Sequence, residues 1–268
     1  MDQALNNAGT LMPGPGDNPS GRPMVQASGD LFAGLTEEEK RKALPGETRI
    51  GENGKPYPTT MIHWNKNVGC VIDTETTGLE PGFHEIIQIA IIPFDSNFEI
   101  VKECTPFVVA MKPDYPERID PKAMKVNKKA EMLAHGLTQQ KGAELLEDWF
   151  NTKLGIYCNK YGNANKIMPL GQNFAFDMSM MKAWLGMEIY ESMFHYHYRD
   201  TMHAALMVND NAGMNCSQIP YPKVSLQYLA TTLGINTEGG HDAVMDAMMT
   251  LKVYKELTKR GTSGAMML

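Results

Sequence analysis

The sequence has few of the residues that build disulfide frameworks, zinc sites or membrane spans. Its four cysteines, at 70, 104, 158 and 216, form no C-x-x-C pair and no zinc-ligand spacing, so we expect buried or idle thiols in a reducing compartment. The richest apolar run, 86–94, is about half as long as a membrane helix. The first residues carry neither a basic nor an apolar segment, so no signal peptide is expected. A soluble, cytoplasmic protein without membrane contact is therefore predicted.

An excess of positive charge is also missing. The chain has 25 Lys and Arg against 31 Asp and Glu, which gives a formal net charge of −6. Binding of duplex DNA by charge alone needs a basic surface, so histone-like and polybasic proteins are excluded. Hydrophobic residues make up 43% of the 268 residues, as in an ordinary globular domain. This balance still allows a local basic strip, or acidic residues gathered around metal cations.

The first 60 residues are rich in glycine, proline and asparagine and poor in large apolar residues. This composition predicts a flexible, disordered tail, with one short helix beginning after Thr36. Residues 26–32 faintly resemble peptides that bind sliding clamps, but Gly29 stands where an apolar anchor is expected. We therefore predict a tail or linker over 1–60, a globular domain over 61–260 and a C-terminal tail over 261–268.

The globular part begins with strand patterns and continues with alternating strands and helices. Short β-branched runs at 68–73, 86–92 (ended by Pro93) and 107–111 predict an antiparallel meander. Periodicity then predicts a strand over 167–170 and helices over 143–154, 174–185, 226–233 and 242–257. This order indicates an α/β fold with a sheet of mixed strand direction.

Two carboxylates close the first predicted strand. Asp73 and Glu75 project to the same face and Thr74 points away, because side chains alternate along a strand. Carboxylates side by side repel each other unless a cation or protons neutralise them. Taken alone, this pair supports a metal site and a solvated strand end about equally.

Two further aspartates are predicted in the first turns of helices. Asn173 is a good N-cap, which places Asp177 in a first turn where acidic residues are commonplace. Asp242 is expected to cap the last helix, with Asp246 one turn later. His241 lies just before that cap in a glycine-flanked loop, and its place beside a carboxylate distinguishes it from an ordinary surface histidine.

Four carboxylates and one imidazole suit phosphoryl transfer. Hard oxygen ligands without a Cys or His cluster favour Mg²⁺ or Mn²⁺ over zinc. Two such ions about 3.5–4 Å apart stabilise the attacking and leaving oxygens of a phosphoryl displacement. A histidine with a pKa near neutrality can take the proton from the attacking water.

The three motifs, in this order, resemble the DEDDh branch of the DnaQ-like 3′→5′ exonucleases. That family includes the proofreading epsilon subunit of the bacterial replicase, ribonuclease T and oligoribonuclease. Its D-x-E followed by T-G is matched at 73–79, its N-x-x-F-D at 173–177 and its H-D-A-x-x-D-A at 241–247. The similarity covers about residues 66 to 258 and leaves the N-terminal tail unexplained.

The resemblance implies a ribonuclease H-like fold, with a mixed sheet of about five strands flanked by helices. It implies His241 as general base, and catalytic ligands for two divalent cations, Mg²⁺ or Mn²⁺, at Asp73, Glu75, Asp177 and Asp246. The implied substrate-binding residues are Thr76, Thr77, Gly78, Leu79, Asn127, Asn173 and Phe176. Among them, the 76–78 turn would cradle the 3′-terminal nucleotide and Leu79 would wedge against its base. The epsilon subunit has a histidine where this chain has Asn127. This difference affects the assignment to a subfamily more than the expected activity.

The implied activity is metal-dependent 3′→5′ hydrolysis of single-stranded ends, with DNA preferred, in proofreading, replication or repair. It would release nucleoside 5′-monophosphates. One alternative is an RNA-directed exoribonuclease resembling ribonuclease T or oligoribonuclease. Another is a non-catalytic nucleic-acid-binding module that accompanies a polymerase. In the DNA-directed role, the N-terminal tail is the expected tether to a DNA polymerase or a sliding clamp.

Two further segments allow more than one interpretation. A basic strip suits phosphates or a solvated face equally well, and it comprises Lys122, Lys125, Lys128, Lys129 and Lys141. Residues 195–200 alternate like a half-exposed strand, and the two histidines among them lack a further ligand nearby. We therefore expect a strand there and not a metal site.

Overall fold

The apolar runs of the sequence form the buried centre of a mixed β-sheet. The computed structural model describes residues 48–50, 56–58, 62–63, 67–95, 97–102, 104–126, 135–155, 166–238 and 242–263. Its strands are β1 (Thr48–Ile50), β2 (Pro56–Pro58), β3 (Ile62–His63), β4 (Asn67–Thr76), β5 (Ile86–Phe94), β6 (Phe107–Ala110), β7 (Ile167–Gly171) and β8 (Arg199–Asp200).

The main sheet has the strand order β6-β5-β4-β7-β8. Strands β4, β5 and β6 pair antiparallel, which confirms the predicted meander, and β7 pairs parallel with both β4 and β8. Strand β3 pairs with the first two residues of β4, whereas β1 and β2 form a separate antiparallel pair. The predicted mixed sheet of about five strands is therefore confirmed.

Helices flank this sheet. They are α1 (Pro121–Val126), α2 (Gln139–Trp149), α3 (Phe174–Leu185), α4 (Met187–Met193), α5 (Thr201–Met214), α6 (Leu226–Thr232) and α7 (Ala243–Ser263). A 3₁₀ turn lies at Pro116–Arg118, and a π-helical turn at Phe150–Leu154 extends α2. None of the helices in the described ranges is both long and apolar enough to cross a membrane.

Alternate residues of β4 pack against opposite layers of helices. Cys70 and Ile72 belong to a hydrophobic cluster that includes residues of α2 and α3. Val71 belongs to a second cluster, which includes Ala243 and Ala247 of α7. Both alanines are fully buried, as expected from their small size. Because side chains alternate along a strand, α3 and α7 lie on different faces of the sheet.

Two predicted strand boundaries are wrong. Pro93 was expected to end β5, yet it lies within this strand opposite Cys70. Its carbonyl accepts the Val101 N–H at 3.0 Å, so the backbone nitrogen of Pro93 also points away from β4. On that side β6 has already ended. The missing N–H of the proline therefore costs the sheet no hydrogen bond. Residues 195–198 form no strand, because the His197 N–H bonds to His195 Nδ1 at 3.0 Å and turns the chain locally.

The predicted helices are present, with some different boundaries. Helix α2 begins at Gln139, four residues earlier than expected, because the Thr138 hydroxyl accepts the Lys141 N–H at 3.1 Å. Helix α7 continues to Ser263, past the expected end at 257. Helices α1, α4 and α5 were not predicted. The helix expected after Thr36 lies outside the described residues, and the three predicted domain ranges stay predictions.

The N-terminus of α3 is capped from a different strand. Asn173 was expected to cap it, but its backbone is left-handed, with φ +55°, and its side chain makes no capping bond. A residue that caps with its own side chain needs an extended backbone, so this prediction is wrong. The buried carboxylate of Asp200 accepts the N–H groups of Asn173 at 3.1 Å and Phe174 at 2.7 Å. It also accepts the Met202 N–H of α5 at 2.8 Å.

A buried glutamine holds the N-terminus of α7 in a similar way. Gln88 of β5 donates to the Asp242 carboxylate at 3.1 Å and accepts the Ala243 N–H at 3.1 Å. Asp242 in turn accepts the Val244 N–H at 3.0 Å, which confirms it as the cap. Side chains of β5 and β8 therefore tie both aspartate-bearing helices to the sheet.

Replacing Asp200 with alanine should destabilise the protein by about 2–4 kcal/mol, because three N–H groups, one buried and two partly buried, lose a charged acceptor. Thr138→Ala is the matched control, since it removes one exposed cap of α2 and should cost about 1 kcal/mol. Urea unfolding measures both free energies. Equal losses in the two variants would contradict a special role for the Asp200 cap.

Candidate active site

Three carboxylates converge at the end of β4. Asp73 and Glu75 project from the α7 face of the strand, the face of Val71, and Asp246 reaches them from the first turn of α7. One ligand oxygen from each of the three lies within 4.8 Å of the others. Glu75 is buried, and Asp73 and Asp246 are partly exposed. The structure thus brings together three of the four predicted ligands.

The donor set fits a hard divalent cation. All three groups offer carboxylate oxygens, which Mg²⁺ and Mn²⁺ prefer. Three negative charges this close repel one another in the partly buried site. A cation between them would relieve that repulsion.

The fourth predicted ligand, Asp177, reaches β4 from the opposite face. Its Oδ1 accepts the Thr74 backbone N–H at 2.9 Å and the Thr74 hydroxyl at 2.7 Å. Thr74 points away from Asp73 and Glu75, as expected, and this is the face that α3 covers. Asp177 is therefore not part of the three-carboxylate group, but it is hydrogen-bonded to the residue between two of its members.

Burial raises the pKa of Asp177 to about 7. The hydrogen bonds from Thr74 oppose this rise, and the nearby Asp200 carboxylate adds to it. Asp177 is only 4% exposed, so its charge has little help from solvent. Burial therefore favours the protonated form of this carboxyl group.

The turn after β4 is built from the predicted substrate-binding residues. The Thr76 hydroxyl donates to the Gly78 carbonyl at 2.7 Å, and the Thr77 hydroxyl accepts the Glu85 N–H at 2.9 Å. A Cβ atom at Gly78 would lie 2.2 Å from the His84 ring, so any other residue here would have to displace that ring. The turn is closely packed beside the carboxylates.

The other predicted substrate-binding residues differ in exposure. Leu79 is 79% exposed at the tip of the turn. Asn173 is exposed at the start of α3, whereas Phe176 is partly buried against the main hydrophobic cluster. His241 and Asn127 lie outside the described residues, and their roles stay predictions.

Within the predicted basic strip, two lysines have described side chains. Lys122 is exposed, and Lys141 pairs with Glu144 at 3.1 Å on the surface of α2. An exposed pair of this kind adds little stability. Both positions agree with a solvated face as well as with a phosphate-binding one.

Sequence reasoning missed Gln88 and Asp200, which hold the helices that carry Asp246 and Asp177. Gln88 does have a recognisable signal, since it is the one polar residue between Ile86 and Ile92. The sequence around Asp200 does not indicate that this residue bonds to α3, because that helix begins 26 residues earlier.

A divalent cation should stabilise the protein thermally. We expect millimolar Mg²⁺ or Mn²⁺ to raise the unfolding midpoint by about 5 °C relative to EDTA, because a ligand bound only to the folded state stabilises it. Asp246→Asn should lose most of this rise. Asp148→Asn, an exposed acid of α2, should keep it. A midpoint that does not respond to either cation in the wild-type chain would contradict the site.

The raised pKa of Asp177 predicts a pH dependence in EDTA. The folded state favours the protonated form of Asp177 more than the unfolded chain does. The free energy of unfolding should therefore be highest, as far as Asp177 is concerned, below pH 3.8, and should fall as the pH rises towards 7. Asp177→Asn cannot titrate. The unfolding free energy of the variant minus that of the wild type should therefore rise over this range, by up to about 1.4 kcal/mol per pH unit. A difference that stays flat or falls would contradict the burial of this charge.

Comparisons with known proteins identify the family and the fold of this chain. The sequence model of the exonuclease family (RNase_T) matches residues 70–254, more than half of the chain. No curated protein sequence matches the chain.

Solved structures share the fold. The zinc-bound complex of E. coli exonuclease I with single-stranded DNA has a TM-score of 0.58 and 22% identity, covering 75% of this chain and 42% of that one. The complex of the same enzyme with a dT13 oligonucleotide has a TM-score of 0.54 and 22% identity, covering 74% and 42%. A moderately thermophilic exonuclease I from Methylocaldum szegediense has a TM-score of 0.55 and 19% identity, covering 72% and 41%.

This chain thus spans about two fifths of the length of these structures. They confirm the predicted ribonuclease H-like fold, and the family match confirms the resemblance seen in the three motifs. The chain belongs to the DEDDh exonuclease family.

Proposed function

We propose that this protein is a metal-dependent 3′→5′ exonuclease that shortens single-stranded 3′ ends, with DNA preferred, and releases nucleoside 5′-monophosphates. The observation that carries this proposal is the convergence of Asp73, Glu75 and Asp246 within 4.8 Å. In a member of an exonuclease family, such a group is best explained as the cation site of phosphodiester hydrolysis.

In this proposal, Asp73, Glu75 and Asp246 hold the catalytic cations, and Asp177 completes the set from the α3 face. Two divalent ions, Mg²⁺ or Mn²⁺, would supply electrostatic stabilisation of the attacking and leaving oxygens. His241 would take the proton from the water whose oxygen attacks phosphorus while the bond to the 3′ oxygen breaks. That 3′ oxygen stays on the shortened strand.

The residues of the turn would orient the 3′ end. The 76–78 turn packs tightly and leaves Leu79 exposed four residues after Glu75, which suits a wedge against the terminal base. Asn173 starts the helix of Asp177, and Phe176 precedes this aspartate directly. With Asn127, they complete the proposed substrate contacts.

The ligands of similar structures favour single-stranded DNA as the substrate. Two of the similar structures are exonuclease I complexes, one with single-stranded DNA and one with a dT13 oligonucleotide. We extend this ligand class to the present chain, in a role in proofreading, replication or repair. The proposed layout is an exonuclease domain over 61–260, with residues 1–60 as the tether to a DNA polymerase or sliding clamp.

Purified protein should shorten a 5′-labelled single-stranded DNA oligomer from its 3′ end in the presence of Mg²⁺ or Mn²⁺, giving a ladder on a denaturing gel. Asp73→Asn should reduce the rate by at least about 100-fold, since even changes outside the ligand set of a metal cost up to this much. EDTA should abolish the ladder. Asp148→Asn, which removes a remote exposed charge, should retain the wild-type rate.

A matched RNA oligomer decides between the two catalytic alternatives. Faster shortening of DNA supports the proposal, and faster shortening of RNA would replace it with an exoribonuclease. If neither strand shortens with either cation, the exonuclease proposal is wrong and a non-catalytic binding role takes its place.

A further inference from the structure

Two exposed aromatic rings and an arginine lie together beyond the turn that follows Glu75. Phe83 is 44% exposed and Tyr115 is 47% exposed. The guanidinium carbon of Arg118 lies 3.9 Å from the centroid of the Tyr115 ring and 5.2 Å from that of Phe83. We call these three residues the stacking platform. Among the described residues, Tyr196 is the other exposed aromatic side chain.

Hydrogen bonds fix the platform relative to the carboxylates. Thr77 comes two residues after Glu75, and its backbone N–H donates to the Glu85 carbonyl at 2.9 Å, which anchors the loop that carries Phe83. The Asp120 N–H donates to the Thr77 carbonyl at 2.8 Å, which anchors the segment that carries Arg118. One residue of the proposed nucleotide-binding turn thus holds both parts of the platform.

Hydrogen bonds also join the two loops of the platform to each other. The Glu85 carboxylate accepts the N–H groups of Asp114 at 2.9 Å and Tyr115 at 3.0 Å, which joins the two loops. The Arg118 N–H closes a 3₁₀ turn on the Tyr115 carbonyl at 3.0 Å. Little conformational entropy remains to be lost when a ligand stacks on these rings.

A recess connects the platform with α3. It has a volume of about 200 Å³, and its lining includes Tyr115, Arg118, Met180 and Trp184. Met180 and Trp184 lie three and seven residues after Asp177, so all three share one face of the helix. Met180 and Asp177 are themselves buried, at 1% and 4% exposed, so the recess places the platform beside the helix that carries Asp177.

We propose that the stacking platform binds bases of a single strand that precede the 3′-terminal nucleotide. This inference rests on the proposed function, because the strand must enter with its 3′ end at the carboxylates. Aromatic rings and arginine planes are the groups on which the bases of single strands stack without sequence preference. Leu79, which would contact the terminal base, lies outside the platform.

The charges around the platform favour stacking over phosphate binding. Three exposed acids (Glu80, Asp114 and Glu117) and two exposed bases (Lys112 and Lys122) flank it in sequence, so with Arg118 itself the formal charges cancel. Neutralisation of phosphates would need a basic excess. The contribution of the platform to affinity should therefore depend little on salt concentration.

The test is equilibrium binding of a 5′-fluorescein-labelled dT12 oligomer to the full chain in EDTA, where cleavage is blocked, followed by fluorescence anisotropy. Phe83→Ala/Tyr115→Ala should raise the Kd by about tenfold or more, the effect of losing at least one base stack. The same ratio is expected in 50 and 200 mM salt. Phe83→Tyr/Tyr115→Phe keeps both rings and should bind like the wild type.

Tyr196→Ala is the matched control, because this residue is 75% exposed but lies near the start of β7, at the end of the sheet opposite the carboxylates. Its Kd should be unchanged. If the alanine double variant binds dT12 within twofold of the wild type, the platform is wrong, even where the wild type shortens DNA. If the wild type binds through the platform yet shortens no strand, the exonuclease proposal fails alone. If it binds no oligomer, both fail.

Discussion

Mutual repulsion among acidic side chains at one end of β4 is the constraint on which the rest of the structure depends. Ligand oxygens of Asp73, Glu75 and Asp246 lie within 4.8 Å of one another, and Asp177 lies on the other face of β4, where burial raises its pKa to about 7. Such groups would move apart if their helices were free to move. The fold prevents this by attaching the N-terminus of each aspartate-bearing helix to a side chain of the sheet.

These attachments explain two buried polar residues that would otherwise weaken the core. Gln88 interrupts an apolar strand, and Asp200 buries a carboxylate in the sheet, but both are satisfied by backbone N–H groups at helix starts. Buried polar groups are tolerated when their hydrogen bonds are made. These hydrogen bonds offset the cost of burying the two side chains, and they also fix the starts of the helices that carry Asp246 and Asp177 on opposite faces of the sheet.

Local patterns were enough to predict much of this arrangement. Helix α3 has the predicted bounds, and the strand alternation that puts Asp73 and Glu75 on one face is present. The capping of α3 could not be predicted, because it depends on Asp200, which only the pairing of β7 with β8 brings near. Residues 195–198 form a local turn through His195 instead of the strand that their alternation indicates. Errors therefore concentrate where distant contacts override local preference.

The central claim is that the carboxylates at the end of β4 form a cation site. The most direct measurement is a crystal structure of the protein grown with Mn²⁺, with anomalous scattering used to locate the metal. The account predicts an anomalous peak within bonding distance of Asp73, Glu75 and Asp246. An ordered site without such a peak, or manganese bound only elsewhere, would contradict it.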